Sequence, residues 1–241
     1  TSATHGYYRL YHRNTSDDWI LFYTNDISGG AGEYSADIHE HTAVIRCGNN
    51  MHIIEIFPGE TQDNVPTVDV QIIEGTHGGA FYYPRIHKNT IVYEDNTVGG
   101  VSGNRAVYVM ERSNLGANDW ALVKTYTNFT IGIDVYGDTI VLHNNSDKLK
   151  YHIYEKKDGV WSDTPSAILT VSATNFGNSG TDLTDDHLIF GGYEHGAILF
   201  RRSEGVWSTS GQPVSYSDAW DVNVNGSTII IGRNATMYKY D

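Results

Sequence analysis

Apolar residues along this chain come in short runs or alternate with polar ones, and turn-forming residues cut each run short. Ala106–Glu111 and Lys150–Glu155 show the pattern over about six residues, the length and period of strands. No segment repeats its apolar positions at helical spacing over several turns. The pattern predicts an all-β protein.

The strands recur with a beat. Five segments share one order: a polar residue, an apolar one, a short turn, then Thr or His, then an apolar run. They read Asp37-Ile-His-Glu-His-Thr-Ala-Val, Arg85-Ile-His-Lys-Asn-Thr-Ile-Val, Asp134-Val-Tyr-Gly-Asp-Thr-Ile-Val, Asp182-Leu-Thr-Asp-Asp-His-Leu-Ile and Asn223-Val-Asn-Gly-Ser-Thr-Ile-Ile. Their first residues lie 48, 49, 48 and 41 positions apart. Each predicts a tight hairpin, over 37–45, 85–93, 134–142, 182–190 and 223–231. Gly137-Asp138 and Gly226-Ser227 supply the permissive turn backbone, and Glu40-His41, Lys88-Asn89 and Asp185-Asp186 hold the same place. A third strand follows each hairpin: Met51–Phe57, Arg105–Arg112, Lys150–Lys156, Ala197–Arg202 and Thr236–Tyr240. A fourth opens at Trp120, Trp161 and Trp207, while one copy has Val65 instead. The N-terminus shows only the second half of a unit, with Gly6–Arg13 as a third strand and Asp17-Asp18-Trp19 opening a fourth.

Units of this size and content, arranged radially, form a β-propeller. The expectation is one domain over 1–241: a five-bladed β-propeller of four-stranded antiparallel blades, closed by the N- and C-terminal strands. Both Gly6–Arg13 and Thr236–Tyr240 look like third strands, so the closing blade is expected to hold five strands or leave one outside. The strand periods exclude an α-solenoid, and nothing in a two-sheet sandwich demands a period near 48 residues.

The repeat resembles a known family. Tyr136-Gly137-Asp138-Thr139-Ile140-Val141, then Tyr151-His152-Ile153-Tyr154-Glu155 and Gly159-Val160-Trp161, is similar to the FG-GAP repeat of integrin-α-like β-propellers, and Phe176-Gly177 matches the first half of that name. The likeness is clearest from Ser102 to Arg233. It implies a propeller serving adhesion, lectin-like or cell-surface recognition, and no particular ligand. The family's Asp-x-Asp-x-Asp-Gly calcium loops have no counterpart, and Phe190-Gly191-Gly192 is the nearest trace of the Gly-Ala-Pro half, so no metal or other cofactor is carried over.

Composition narrows the partners. The 241 residues carry a formal charge of −13, and no Lys/Arg run exceeds a pair, which argues against nucleic acid and against a polybasic membrane anchor. No apolar stretch approaches the roughly 18 residues of a spanning helix, so no membrane insertion is expected. Cys47 is the single cysteine, which excludes a disulfide framework. The chain begins at Thr1 without Met, the appearance of a processed product, and a removed signal peptide is one route to it. Sequons at Asn14, Asn128, Asn144, Asn225 and Asn234 fit that route, although about two or three are expected by chance in a chain so rich in Asn, Ser and Thr. The expected location is extracellular or surface-exposed.

Candidate sites follow from the repeat. Asp37, Arg85, Asp134, Asp182 and Asn223 form one column on the innermost strand, a polar ring around the axis. Such a ring could hold a cation or supply a glycosidase's paired carboxylates. The competing reading is structural, with each Asp accepting backbone amides at a strand start. Asp37, His39 and His41 alternate like metal ligands, but Glu40-His41 falls in a turn. The segments around Asp119 and Asp158 faintly resemble the sialidase Asp-box, whose Ser-x-Asp-x-Gly-x-x-Trp spacing they do not satisfy. No nucleophile motif is present, and Cys47 reads as a small buried side chain. Tyr34, Tyr82, Tyr83, Phe129, Phe176 and Trp220 precede the five hairpins, several beside Gly-rich stretches such as Gly29-Gly30-Ala31-Gly32 and Gly78-Gly79-Ala80. Aromatic planes beside Asp, Asn and Gly suit sugar rings and protein interfaces; packing between blades is the alternative. The sequence therefore points to a non-enzymatic module that binds a glycan or glycoprotein through one loop face. A subunit contacting its neighbours in a virion, cell wall or appendage, and a glycoside-active enzyme, are the other two readings.

Overall fold

The computed structural model describes residues 6–27, 35–47, 50–59, 61, 64–74, 81–96, 105–112, 119–172, 176–192, 196–215, 219, 221–225, 228–233 and 236–240. Its regular elements are all strands, arranged in successive antiparallel sheets. A two-stranded sheet comes first, β1 (Gly6–Arg13) and β2 (Trp19–Ile27). Two four-stranded meanders follow. One is β3 (Ala36–His39), β4 (Thr42–Cys47), β5 (Asn50–Phe57) and β6 (Thr67–Glu74); the other is β7 (Phe81–His87), β8 (Thr90–Asp95), β9 (Ala106–Arg112) and β10 (Trp120–Thr127). In the next two sheets the fourth strand is broken in two. The first of these holds β11 (Phe129–Tyr136), β12 (Thr139–Asn144), β13 (Lys150–Lys157), β14 (Val160–Trp161) and β15 (Ala167–Thr170); the second holds β16 (Phe176–Leu183), β17 (His187–Gly192), β18 (Gly196–Ser203), β19 (Val206–Trp207) and β20 (Gln212–Ser215). The last sheet is β21 (Asp221–Asn225), β22 (Thr228–Arg233) and β23 (Thr236–Tyr240).

The repeated hairpins are the inner pairs of the five later sheets. His39 faces Thr42, His87 faces Thr90 and Tyr136 faces Thr139 across two-residue turns. Glu40, Lys88 and Gly137 open those turns with φ of 52°, 53° and 57°, a left-handed backbone that only glycine adopts freely. In the fourth copy the Thr184 amide donates to the His187 carbonyl at 2.8 Å, which keeps the turn at Asp185-Asp186. The outer hairpins at Asp158-Gly159 and Glu204-Gly205 have positive φ at both turn residues, the geometry that matches strand twist.

The core is a series of slabs between successive sheets. Tyr8 and Leu10 of β1 pack on Ala43, Ile45, Cys47 and Ile54. Val44, Met51 and Ile53 meet Ile86, Ile91 and Met110; Val92, Val107 and Val109 meet Ile133, Val135 and Leu142. Val141, Tyr151 and Ile153 meet Leu188, Phe190 and Phe200; Ile189 and Leu199 meet Val222, Val224, Ile229 and Ile231. Alternation along each strand explains this arrangement, because odd and even positions feed the slabs on opposite sides of one sheet.

A second column ties the sheets together. A third-strand glutamate reaches forward to a cation and a tryptophan of the following sheet. Glu55 pairs with Arg112 at 2.6 Å and accepts from Trp120 Nε1 at 3.1 Å and Thr42 Oγ1 at 3.0 Å. Glu111 holds Lys156 Nζ at 2.8 Å and Trp161 Nε1 at 2.8 Å. Glu155 holds Arg202 at 2.6 Å, while Trp207 Nε1 finds no partner among the described residues. Each tryptophan stands opposite its cation in the strand register: Trp120 opposite Arg112, Trp161 opposite Lys156, Trp207 opposite Arg202. Val65 does not hold the tryptophan place in the first meander. It precedes β6, and Val68 stands there instead, opposite Ile56.

The chain ends differ from the expected closure. Among the described residues β1 pairs with β2, and β23 pairs with β22; the two ends do not share a sheet. The reason lies in register. Arg13 opposite Trp19 puts β1 at the third-strand place of its sheet, and β23 already holds that place in the last one.

Candidate functional site

The innermost strands β3, β7, β11, β16 and β21 touch one another in chain order. All five line one cavity of about 560 Å3, reached by Asp37, Asp134, Asp182 and Asn223 from the polar column. The carboxylates have defined work there. Asp37 accepts from the Ile38 amide at 2.9 Å with one oxygen and from the Ile86 amide at 2.8 Å with the other. Asp134 does the same with Val135 at 2.9 Å and Leu183 at 2.7 Å. Asp182 accepts from the Val224 amide. Each aspartate thus reaches the next inner strand, at the amide of the residue just after the polar column. Burial pushes the Asp134 carboxyl well above the usual carboxylate range, Arg85 pulls it back, and Asp182 pushes it further up.

Two residues after the polar column comes a second ring, which the sequence reading did not bring together; it weighed only His39, as one of three alternating metal-ligand candidates. His39 and His87 meet edge to face at 4.4 Å, and His87 stacks on Tyr136 at 4.2 Å, so three neighbouring sheets contribute one aromatic arc to the cavity wall. The Gly137 amide donates to His87 Nδ1 at 2.7 Å, which requires a neutral ring with its proton on Nε2. Burial, with His39 and Lys88 adding to it, lowers the His87 pKa to about 4. His39 Nδ1 is buried with no hydrogen-bond partner among the described residues. Asp185 and Asp186 line the fourth side, with Asp186 held against His187 Nδ1 at 2.6 Å. The signal that could have found this arc was the repeat itself, since His39, His87 and Tyr136 share one column at the 48- and 49-residue spacings. Among the described residues, no three metal-ligating side chains converge.

The aromatic leads separate. Tyr34 and Trp220 lie outside the described residues, as does the side chain of Phe176, whose backbone starts β16. Phe129 is buried against Tyr126, Tyr154 and His152 inside a slab, so its ring is not offered to a ligand. Tyr82 is half-buried, with the Arg46 guanidinium of the preceding sheet 4.1 Å over its ring. Tyr83 follows at a bulge with φ of 48°. The Tyr82 and Tyr83 rings stand 6.0 Å apart, whereas Phe129 is taken into the slab. Cys47 is buried and its thiol is pushed up to about 12, the behaviour of an inert side chain.

The sequons differ in availability. Asn128 is exposed at the end of β10. Asn14 is half-buried in the β1–β2 turn and accepts two backbone amides through Oδ1. Asn144 has Nδ2 3.2 Å from His152 Nε2, which occupies the atom a glycan would need. Asn225 lies in β21, its side chain outside the described part, and Asn234 lies outside it altogether.

No family model matches the chain, and no curated protein matches it. Solved structures do. Prp20p of Saccharomyces cerevisiae, studied for its binding to Gsp1p and histones, superposes with a TM-score of 0.55 at 7% identity, over 83% of this chain and 56% of that one. Hsv2 of Kluyvelomyces marxianus gives 0.52 at 13%, over 88% and 60%. Apo AztD of Citrobacter koseri gives 0.56 at 11%, over 99% and 70%. The chain spans little more than half the length of the first two. All three are β-propeller proteins, and at such identities the likeness is one of fold.

Proposed function

We propose that the five inner hairpins mark five radial blades and that the chain is a non-enzymatic recognition module, displayed extracellularly, whose ligand enters the acid-lined axial cavity. The observation that carries this reading is the wall of that cavity. The His39–His87–Tyr136 arc lines the cavity beside the carboxylates of Asp185 and Asp186, with His39 and Tyr136 half-buried on either side of the buried His87. Ring faces beside carboxylates fit a sugar, whose C–H face stacks while its hydroxyls donate. This favours a glycan or glycoprotein as the ligand. The fold neighbours support a binding role in general, and one of them engages protein partners.

The hydrolytic alternative loses weight from the hydrogen bonds. Asp37 and Asp134 each spend both oxygens on backbone amides, so neither is poised as a general acid or base. A glycan-array screen with a glycosidase assay alongside tests the proposal. Binding lost in Tyr136→Ala, with no turnover, is the expected result. Turnover, or binding indifferent to Tyr136, overturns it.

A further inference from the structure

The slabs between sheets follow one rule, and the two ends of the chain break it. On the forward side of each sheet, one second-strand residue is sealed by the sheet that follows. Val44, Val92, Val141 and Ile189 are each 0% exposed, whereas the same position in the last sheet, Ile230, is 40% exposed. On the backward side, the tryptophan opposite the cation is sealed by the sheet that precedes it. Trp120, Trp161 and Trp207 are each 4% exposed, whereas Trp19, which stands opposite Arg13 in the same register, is 68% exposed.

The exposure at Trp19 belongs to a whole face. Alternation turns Tyr8, Leu10 and Tyr23 of the β1–β2 sheet toward β3–β6 and turns Tyr7, Arg9, Tyr11, Arg13, Trp19 and Leu21 the other way. Tyr7, Tyr11 and Leu21 are 59%, 46% and 44% exposed. Three aromatic rings and two arginines are thus spread on an open sheet in a chain whose formal charge is −13. The composition repeats the backward face of the other sheets, where Trp and a cation receive a carboxylate and branched aliphatic side chains. Among the described residues, the forward face left open is that of β21 and β22, around Ile230.

We propose that the open β1–β2 face of one copy docks on the open β21–β23 face of a second copy, continuing the sheet-to-sheet interface across molecules. Among the described residues both faces are uncovered, at Trp19 and at Ile230, so neither is occupied by the other. The contact is head-to-tail, with different surfaces on the two sides, so each copy keeps one free face for a further neighbour. The inference stands apart from the cavity reading, because neither Trp19 nor Ile230 lines the cavity.

Complementation tests it. Trp19→Asp and Ile230→Asp change exposed side chains, so folding is preserved; Tyr11→Asp stands in for the first if its thermal melt is altered. Sedimentation velocity should show wild-type mass rising with concentration. Each variant alone should keep the mass of one chain, and their equimolar mixture, which retains one intact pair of faces, should stop at two. A photo-cross-linker at position 21 in a mixture of light and 15N-labelled chains should join light to heavy through β21–β23 peptides. A wild type that stays at one chain throughout, or a mixture that fails to associate, overturns the proposal. Cross-links confined to single copies overturn it too, by showing that the chain's own last sheet fills the face. Glycan binding unchanged in both variants leaves the cavity reading untouched.

Discussion

Glu55 shows how much one side chain does here. Its carboxylate is nearly sealed, with Arg112 equally sealed against it, and it also receives Trp120 and Thr42. Glu55→Ala strands a buried guanidinium, so the expected loss is about 3–5 kcal/mol in urea unfolding. Lys124→Ala, which breaks a pair with the exposed Asp163, should cost about 0–1 kcal/mol in the same assay. His87 gives a pH signature. Its pKa sits near 4 in the folded chain against 6.5 ordinarily, so the unfolded chain takes up a proton first as pH falls. Its contribution is fully present above pH 6.5 and is lost as pH drops toward 4, with a slope of at most about 1.4 kcal/mol per pH unit. The stability difference between wild type and His87→Gln, measured by denaturation from neutral to acid pH, should be flat above that window and shrink within it. The polar column was legible in the sequence because Asp recurs with the beat. The glutamate–cation column was not, although Glu111-Arg112 and Glu155-Lys156 share a place. Its partners sit one sheet away, and a single sequence does not display contacts between sheets.

At the scale of elements, the hairpins were legible because turn chemistry is local. Gly-Asp, Lys-Asn and Glu-His between two apolar runs leave few other solutions. The same geometry sets a contrast. Glu40 and Lys88 strain at the φ where Gly137 rests, so Glu40→Gly should hold or raise stability, and Gly137→Ala should lower it by about 1–2 kcal/mol. Paired chemical melts of the two variants check both signs. The fourth strands were less legible. β14 and β19 are only two residues long, ending at Trp161 and Trp207, before the chain leaves the edge and returns as β15 and β20. Edge strands carry fewer constraints, so alternation there is weak.

For the whole molecule, the slab architecture predicts a gradient. The sheets in the middle are covered on both faces, whereas among the described residues β1–β2 and the last sheet, at Ile230, each keep one face open. Amide hydrogen exchange at low protein concentration should therefore run fastest in those two sheets and slowest in β12, β13 and β17. Equal protection throughout would show the open faces to be covered. A radial arrangement was legible from the beat of the repeats, since every unit obeys it. The fate of the ends was not, because a third-strand pattern at both termini fits several ways of finishing the structure.

The aspartates of the inner column have a consequence for size. Asp37 and Asp134 each grip two amides through the fixed bite of one carboxyl. A single methylene thereby gauges how close adjacent inner strands stand, and the calibre of the bore follows from it. Glutamate in the same seats would be a longer caliper: the strands would part and the passage would widen, with the walls themselves unchanged.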